Sequence, residues 1–492
     1  MIWPRLQLAT EEMKWDITKE NFAAHLPRIR DAISRCSFLA VDCEFSGLTT
    51  GGTTCQYDTP AERYAHLRRT AAGFLVIQFG LAAFTLDQER GRYTQETFNF
   101  YLFPRHPSQG SFLCQPSSLE FLSGNGFDFN KLIKDGVPYL KPIAGRGVPA
   151  LVRRAPGLPR LSGYQRKIMY DHVSARVATP LDLETQRTPG GQRTLRVRRA
   201  AGPEERRRRL RERLDEAAGF CQVISAISES GKTVVGHNML LDLLHMVEQF
   251  VCPLPQSYAD FRAVVGCVFP SLVDTKVMGS TQPFRDLIPS TTLGEMVVCL
   301  GTHPFTTPTV VAAEGSSGPE YRVGDSKHHE AGYDAFLTAV CFASMVNYLG
   351  LLLTPPKPLL EPSADIVRPF SNKVFVMRMA DMPYLNLTGD DVEPSRDHVF
   401  HLTFPAAWKT SDIVQLFSAF SRVHVAWIND TSAFVSLDRR DQASQVLQNV
   451  KAAGLFTLCT YSEWQAAQRM SRPDRAAKQK TSPAPVRAVS AA

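Results

Sequence analysis

At 492 residues, with 44% hydrophobic and 21% charged side chains, the chain has the length of about two to four domains and a globular make-up, which excludes a fibrous or wholly disordered protein. The net charge of +7 is unevenly spread: residues 152–213 hold 17 Lys and Arg against 6 Asp and Glu, so the rest of the chain is net acidic. That block is either a solvated arginine-rich segment or a face for an anionic partner.

The opening MIWPRLQLATEEMKWD has no apolar core, so no secretory signal is expected there. Ser37–Asp42 has the pattern of a buried strand, and Phe74–Phe84 and Thr97–Phe103 are two further β-rich runs. Ser117–Asp135 follows as helical segments broken by glycines. From Lys141 to Arg160 Pro, Gly and Arg interrupt the pattern; Gly163–Val177 predicts a short helix, Thr194–Arg198 a strand and Glu204–Ala218 a charged helix. Strand and helix signals resume at Phe220–Ser228, Thr233–Val235 and Met239–Phe250, so residues 141–216 form an insertion within one α/β domain rather than a linker between two.

Asp334–Leu353 is a long apolar helix; Thr338, Ser344, Asn347 and Gly350 interrupt it, which favours a buried helix over a membrane span, and no membrane partner is expected. Pro355, Pro356 and Pro358 close that domain. His398–Phe404, Ser411–Phe420, Val423–Ile428, Ala433–Leu437, Asp441–Val450 and Leu455–Thr460 then give the order βαββαβ, that of an RNA-recognition-motif fold. The tail from Gln465, basic and rich in Ala, Ser and Pro, is expected to be disordered. The expected division is 1–140 and 217–375 as two halves of one α/β domain, 141–216 as the insert, 376–464 as a small α+β domain and 465–492 as the tail. The ten cysteines include no C-x-x-C pair, and Cys221, Cys267, Cys299 and Cys341 sit in apolar runs, as free thiols do in a reducing compartment.

In FLAVDCEFSGL, Asp42 and Glu44 project from one face at the carboxyl end of a strand, where open α/β sheets bind ligands. They are either exposed strand-end acids or two hard oxygen ligands for a divalent metal. VVGHNMLLDLLH places Asp242 just inside a helix that follows a strand and a Gly-His-Asn turn. HHEAGYDA places Asp334 near the start of the long apolar helix. His329 lies five residues earlier; on one helix that is about 140° away, so His329 is expected on the loop leading in. Together the four acids and the histidine suit two-metal phosphoryl chemistry, with the imidazole taking a proton from the attacking water. Asp274, in SLVDTK, is expected to cap a helix; His237 and Asn238 either orient the turn before Asp242 or only bond within it; His245 and His328 are not expected to be catalytic.

At these residues the sequence resembles the DEDDh 3′→5′ exonucleases. DTPAERY, FNFYLFP, GFDFNKL, DGVPYL, GHNMLLDLLH, FPSLVDTK, STQPF, HEAGYDA and PYLNL resemble more closely the poly(A)-specific ribonucleases, the deadenylases of that superfamily, from about Asn21 to Trp464. The resemblance implies an RNase H-like nuclease domain, an inserted RNA-binding module of the Arg-x-x-x-His type, and an RNA-recognition-motif-like domain. It implies two Mg²⁺ ions held by Asp42, Glu44, Asp242 and Asp334, with His329 as general base. The implied activity is removal of poly(A) tails with release of 5′-AMP by a homodimer, in nucleus and cytoplasm. Arg166 and Lys167, in GYQRKIMY, are the expected RNA contacts of the insert; Tyr170 stands where the module's name has His, and the stretch from Leu140 to Gly163 is short for the family.

In the small domain Phe434 is present on the third strand, but Ser432 stands where a base-stacking aromatic is expected. Trp427, in VAWIND, is either a core residue or a stacking platform for a flat cationic base. The resemblance favours the second, with the 7-methylguanosine cap as ligand. Two other functions remain open at this point: trimming of small or non-coding RNA 3′ ends, and a non-catalytic cap- and RNA-binding regulator.

Overall fold

The computed structural model of the chain describes residues 16–52, 54–105, 111–140, 181–187, 193–199, 218–314, 321–382, 384–450 and 454–471. Arg166, Lys167, the helix expected at 163–177 and nearly all of that at 204–218 lie outside them. Two compact units result. The first takes the described residues up to Gly52, from Thr59 to Met377 and from Tyr384 to Val392; the second takes a short stretch ending at Asp58, Arg378–Met382 and the described residues from Glu393 onward.

In the first unit, β1 (Asp16–Ile17), α1 (Phe22–Arg35) and β2 (Phe38–Phe45) lead to α2 (Pro60–Ala71). The helix α2 starts on a capping box, Thr59 accepting from the Glu62 amide and the Glu62 carboxylate accepting from the Thr59 amide. β3 (Val76–Asp87) and β4 (Arg92–Tyr101) form a long hairpin, followed by α3 (Pro116–Gly124) and α4 (Phe129–Asp135). The insert contributes β5 (Leu181–Arg187) and β6 (Arg193–Arg199), which pair with each other.

α5 (Cys221–Ser230) ends at Gly231, whose φ of 62° suits a residue without Cβ, and the chain turns into β7 (Thr233–Gly236). α6 (Leu240–Met246) runs into a π-helical turn at Val247–Val251, then come α7 (Tyr258–Val268), β8 (Leu272–Asp274), α8 (Thr275–Gly279), α9 (Leu293–Leu300) and β9 (Val310–Ala312). α10 (Ala331–Leu351) is the expected apolar helix; it is long and apolar enough to cross a membrane but is buried along almost its whole length. The strands make one mixed sheet in the order β1-β4-β3-β2-β7-β8, with β9 also on β4. α10 lies on that sheet and carries the main core with Phe38, Phe84, Tyr93 and Phe342. The approach is close at Gly80, where a Cβ would stand 1.8 Å from the Ala331 carbonyl oxygen.

β10 (Lys373–Phe375) and β11 (Tyr384–Asn386) pair antiparallel across the boundary expected at 376, and the residues to Val392 stay with the first unit. Asp391, which the Tyr258 hydroxyl meets at 3.4 Å and Arg262 at 3.8 Å, fastens this segment to α7. In the second unit β12 (Val399–Thr403), α11 (Thr410–Leu416), β13 (Val423–Asn429), β14 (Ser432–Leu437), α12 (Ala443–Asn449) and β15 (Thr457–Thr460) give the expected βαββαβ order. The sheet runs β13-β14-β12-β15. The tail expected to be disordered from Gln465 is corrected in part: α13 (Tyr461–Ser471) is helical through Ser471, because Tyr461 and Trp464 anchor its first turn on the sheet and no Pro follows until Pro473.

Candidate active site

Asp42 and Glu44 stand half-buried on β2, in register with Gly80 and Gln78 of β3. Asp242 on α6 and Asp334 on α10 are 7% and 8% exposed. The turn before Asp242 is held from behind by Asp274 at the end of β8. Its buried carboxylate accepts from the amides of Asn238 (2.9 Å), Met239 (3.1 Å), Lys276 (3.0 Å) and Phe375 (2.9 Å). Asp274 is thus the helix cap that was expected, and also the anchor of the turn. His237 and Asn238 tie the turn to β8 and α8 rather than bonding within it: His237 Nδ1 lies 2.9 Å from Thr275 Oγ1, the Asn238 amide donates to Asp274, and Asn238 sits in the left-handed region at φ 58°.

His329 precedes α10 at φ 67°, on the loop as expected, and its amide donates to Asp334 Oδ2 at 3.0 Å. One ligand atom each from Glu44, His329 and Asp334 lies within 4.8 Å of the others. His328 approaches Asp334 only to 3.9 Å. His245 is buried against Phe45, its pKa pushed down to about 4 by burial, so it is an uncharged core residue.

Burial raises all four carboxyl pKa values. Asp242 reaches about 7 and Asp334 about 6, while Asp42 and Glu44 rise well above the usual range as their neighbours' charges add to burial. The Cys43 thiol, pushed up by burial and by the same acids, stays protonated and bonds to Asp242. Burial, then the neighbouring His328, lowers the pKa of His329, leaving a neutral imidazole able to accept a proton. Four carboxylates that resist ionising together, with one imidazole beside them, form a hard donor set with a deficit of positive charge. A divalent cation of the Mg²⁺ or Mn²⁺ type fits it.

Sequence reasoning missed Phe121 of α3. Its ring meets that of His329 edge-on at 4.5 Å while 50% exposed. The segment before α3 is tied to the end of β2 by Gln115 N–H to Ser46 O (2.8 Å) and Ser46 Oγ to Leu113 O (2.8 Å). An apolar residue on an exposed helix is the only trace this leaves in the sequence.

In the second unit Trp427 is 39% exposed, so it is not a core residue. Its indole N–H donates to Thr410 Oγ1 at 3.2 Å, and its ring stands perpendicular to Phe404 at 5.2 Å. The opposite sheet face is covered. Phe434 is buried beneath Tyr57, Tyr461 and Trp464, and Trp464 stacks on His401 at 5.7 Å. Arg396 lies over the rings of Tyr57 (5.5 Å) and Tyr461 (4.7 Å) and donates to the Tyr57 carbonyl and the Tyr461 hydroxyl. Base stacking on Phe434 is thereby blocked.

Residues 17–342 match the family described as CAF1 family ribonuclease, and residues 389–467 match an RNA binding domain. The chain is 40% identical over 514 residues to poly(A)-specific ribonuclease PARN of Xenopus laevis, covering 91% of this chain and 81% of that protein. It is 39% identical over 513 residues to the Homo sapiens protein of the same name, covering 91% and 80%. The solved structure of S. pombe Pop2p in its Mg²⁺- and Mn²⁺-bound form is 18% identical, with a TM-score of 0.41 over 73% of this chain and 98% of that one.

Proposed function

The chain belongs to the CAF1 family of ribonucleases, and on that premise we propose that it is a 3′→5′ exoribonuclease that removes poly(A) from RNA and releases 5′-AMP. The observation that carries this reading is the convergence of Asp42, Glu44, Asp242 and Asp334 beside a neutral His329, in a chain about 40% identical to proteins named for poly(A).

Asp42, Glu44, Asp242 and Asp334 would hold two divalent ions, Mg²⁺ being the proposed species. Such ions supply charge stabilisation at the attacking and leaving oxygens of an in-line displacement. His329 takes the proton as water attacks the terminal phosphorus; the P–O3′ bond breaks, and the shortened RNA keeps a 3′-hydroxyl once that oxygen gains a proton. Asp334 holds the His329 amide, which fixes the loop while the ring stays free to face the water. The Phe121 ring limits the swing of the imidazole on its other side.

The exposed indole of Trp427 supports a second ligand, the 7-methylguanosine cap, because an N7-methylated base is cationic and an indole face attracts cations. Arg166 and Lys167 are proposed phosphate contacts of the insert. A homodimer is proposed as the working state, to be checked by sedimentation, and nucleus and cytoplasm as its compartments, in keeping with ten free cysteines.

The decisive experiment incubates the chain with Mg²⁺ and 3′-labelled RNAs that end in an A-tail or in mixed sequence. Labelled 5′-AMP, released faster from the A-tail and lost in Asp42→Ala, is the expected result. Equal rates on both RNAs would point to general 3′-end trimming. Asp42→Ala activity within about tenfold of the parent, about 1.4 kcal/mol of barrier, would remove the acid from the site.

A further inference from the structure

The first turn of α10 carries Asp334, and the loop before it carries His329, so the seating of that turn on the sheet decides where both stand. The first amides of a helix need acceptors from outside it, most often the N-cap side chain. Glu330, at the N-cap of α10, makes no such bond. Two amide side chains from neighbouring strands do so instead. Gln78 Oε1 on β3 accepts the Ala331 N–H at 2.9 Å, and Asn99 Oδ1 on β4 accepts the Gly332 N–H at 3.1 Å.

Both are almost fully buried, Gln78 2% and Asn99 1% exposed. Both also lie in cross-strand register with the acids of β2. Gln78 is the partner of Glu44, and Gly80 pairs with Asp42 on one side and Asn99 on the other. The orientation of Asn99 is fixed from behind: its Nδ2 donates to Asp16 Oδ1 at 2.8 Å, and Lys131 Nζ donates to Asp16 Oδ2 at 2.6 Å. That leaves its oxygen for the helix. Little side-chain bulk separates helix from sheet here, since Cβ atoms would stand 1.8 Å from the Ala331 oxygen at Gly80 and 3.1 Å from Asn99 Cβ at Gly332.

We propose that Gln78 and Asn99 are positioning residues, which seat the start of α10 so that Asp334 and His329 meet Asp42 and Glu44 in one cation site. Their chemistry suits the task. A neutral amide accepts the helix N–H without adding charge to four acids that already repel one another. An apolar side chain of the same size would leave a buried N–H unpaired and free the turn to shift. The inference rests on the reading of the four acids as a cation site.

The test uses the full chain, with Gln78→Met, Asn99→Leu, the shortened Gln78→Asn, and Asp42→Ala as control. Mn²⁺ binding is measured by calorimetry, kcat and KM on A-tailed RNA, and stability by melting. The expected result is Mn²⁺ binding weakened by about tenfold or more and kcat lowered on the order of 10–100-fold with KM nearly unchanged, since a displacement near 1 Å at a reacting centre has effects of that size. A purely structural role lowers the melting temperature and leaves kcat and Mn²⁺ binding of the folded protein at parent values; that result overturns the proposal. Should the apolar variants fail to fold, Gln78→Asn decides by the same criteria. If Asp42→Ala also leaves Mn²⁺ binding intact, the failure belongs to the cation-site reading instead.

Discussion

At Asp334 the native carboxyl holds its proton to about pH 6, whereas an unfolded aspartate releases it near 4. A group bound more tightly to its proton in the folded state favours folding below the unfolded value and loses that advantage as pH rises through the folded one. Metal-free protein should therefore lose stability between about pH 4 and 7, and Asp334→Asn should flatten that fall by on the order of 2 kcal/mol while abolishing activity; melts in chelator at pH 5 and 8 measure it. A parallel fall in parent and variant would show that Asp334 carries no excess proton. His329→Ala should slow cleavage by roughly 10²–10⁴-fold, with partial recovery at high pH where hydroxide is available; an unchanged pH profile would exclude it as base. Trp427→Ala should weaken cap-analogue binding by on the order of 0.5–2 kcal/mol and spare uncapped poly(A); equal loss on both in a fluorescence titration would count against the cap site. These residues were legible because each sits at a marked place in the chain, a strand end, a turn before a helix or a polar pair before an apolar run. Gln78 and Asn99 were not. They act on amides 253 and 233 positions away, and no local pattern encodes that meeting.

Long elements with a strong period were legible too: β2, β3, α10 and the βαββαβ order all stand where apolar periodicity put them. β1, β9 and the β10–β11 pair were not, because two or three residues carry no period and their pairing is decided by the strand they join. α13 was hidden for another reason. Its composition is that of a tail, and it is held by Tyr461 and Trp464 packing on Phe434 and His401. That packing predicts a separation of roles between the two sheet faces. Trp464→Ala should lower the stability of the second unit by about 1–3 kcal/mol, less than a fully buried tryptophan because part of the ring is exposed. Cap binding at Trp427 should hold, since Trp427 packs on Phe404 and Thr410 on the other face. Urea unfolding followed by cap titration in the folded range checks both, and a loss of cap affinity would show the faces to be coupled.

Across the whole chain, charge is unevenly divided. The excess of Lys and Arg in residues 152–213 is larger than the net charge of +7, so the remainder is acidic, and part of that acid is gathered at Asp42, Glu44, Asp242 and Asp334. A catalytic site built of acids repels a phosphate backbone, and an RNA-cutting chain needs a separate source of affinity. The basic block is suited to that work because phosphate contact is independent of sequence, whereas any preference for adenine has to arise where the terminal base is held. Replacing Arg206, Arg207, Arg208 and Arg209 with glutamine should therefore leave kcat and the ratio of A-tail to mixed-sequence rates unchanged. It should raise KM at low salt and flatten the dependence of binding on salt. On single strands each phosphate neutralised contributes a slope of about −0.7 in log K against log salt, so four lost contacts would reduce the slope by about 3. Filter binding of a fixed A-tail between 50 and 300 mM KCl reads the slope directly. A slope equal to that of the parent would assign the four arginines to solvent and move the search for affinity to Arg166 and Lys167. A changed A-tail preference would overturn the division itself, because it would place base discrimination in the block rather than where the terminal base is held.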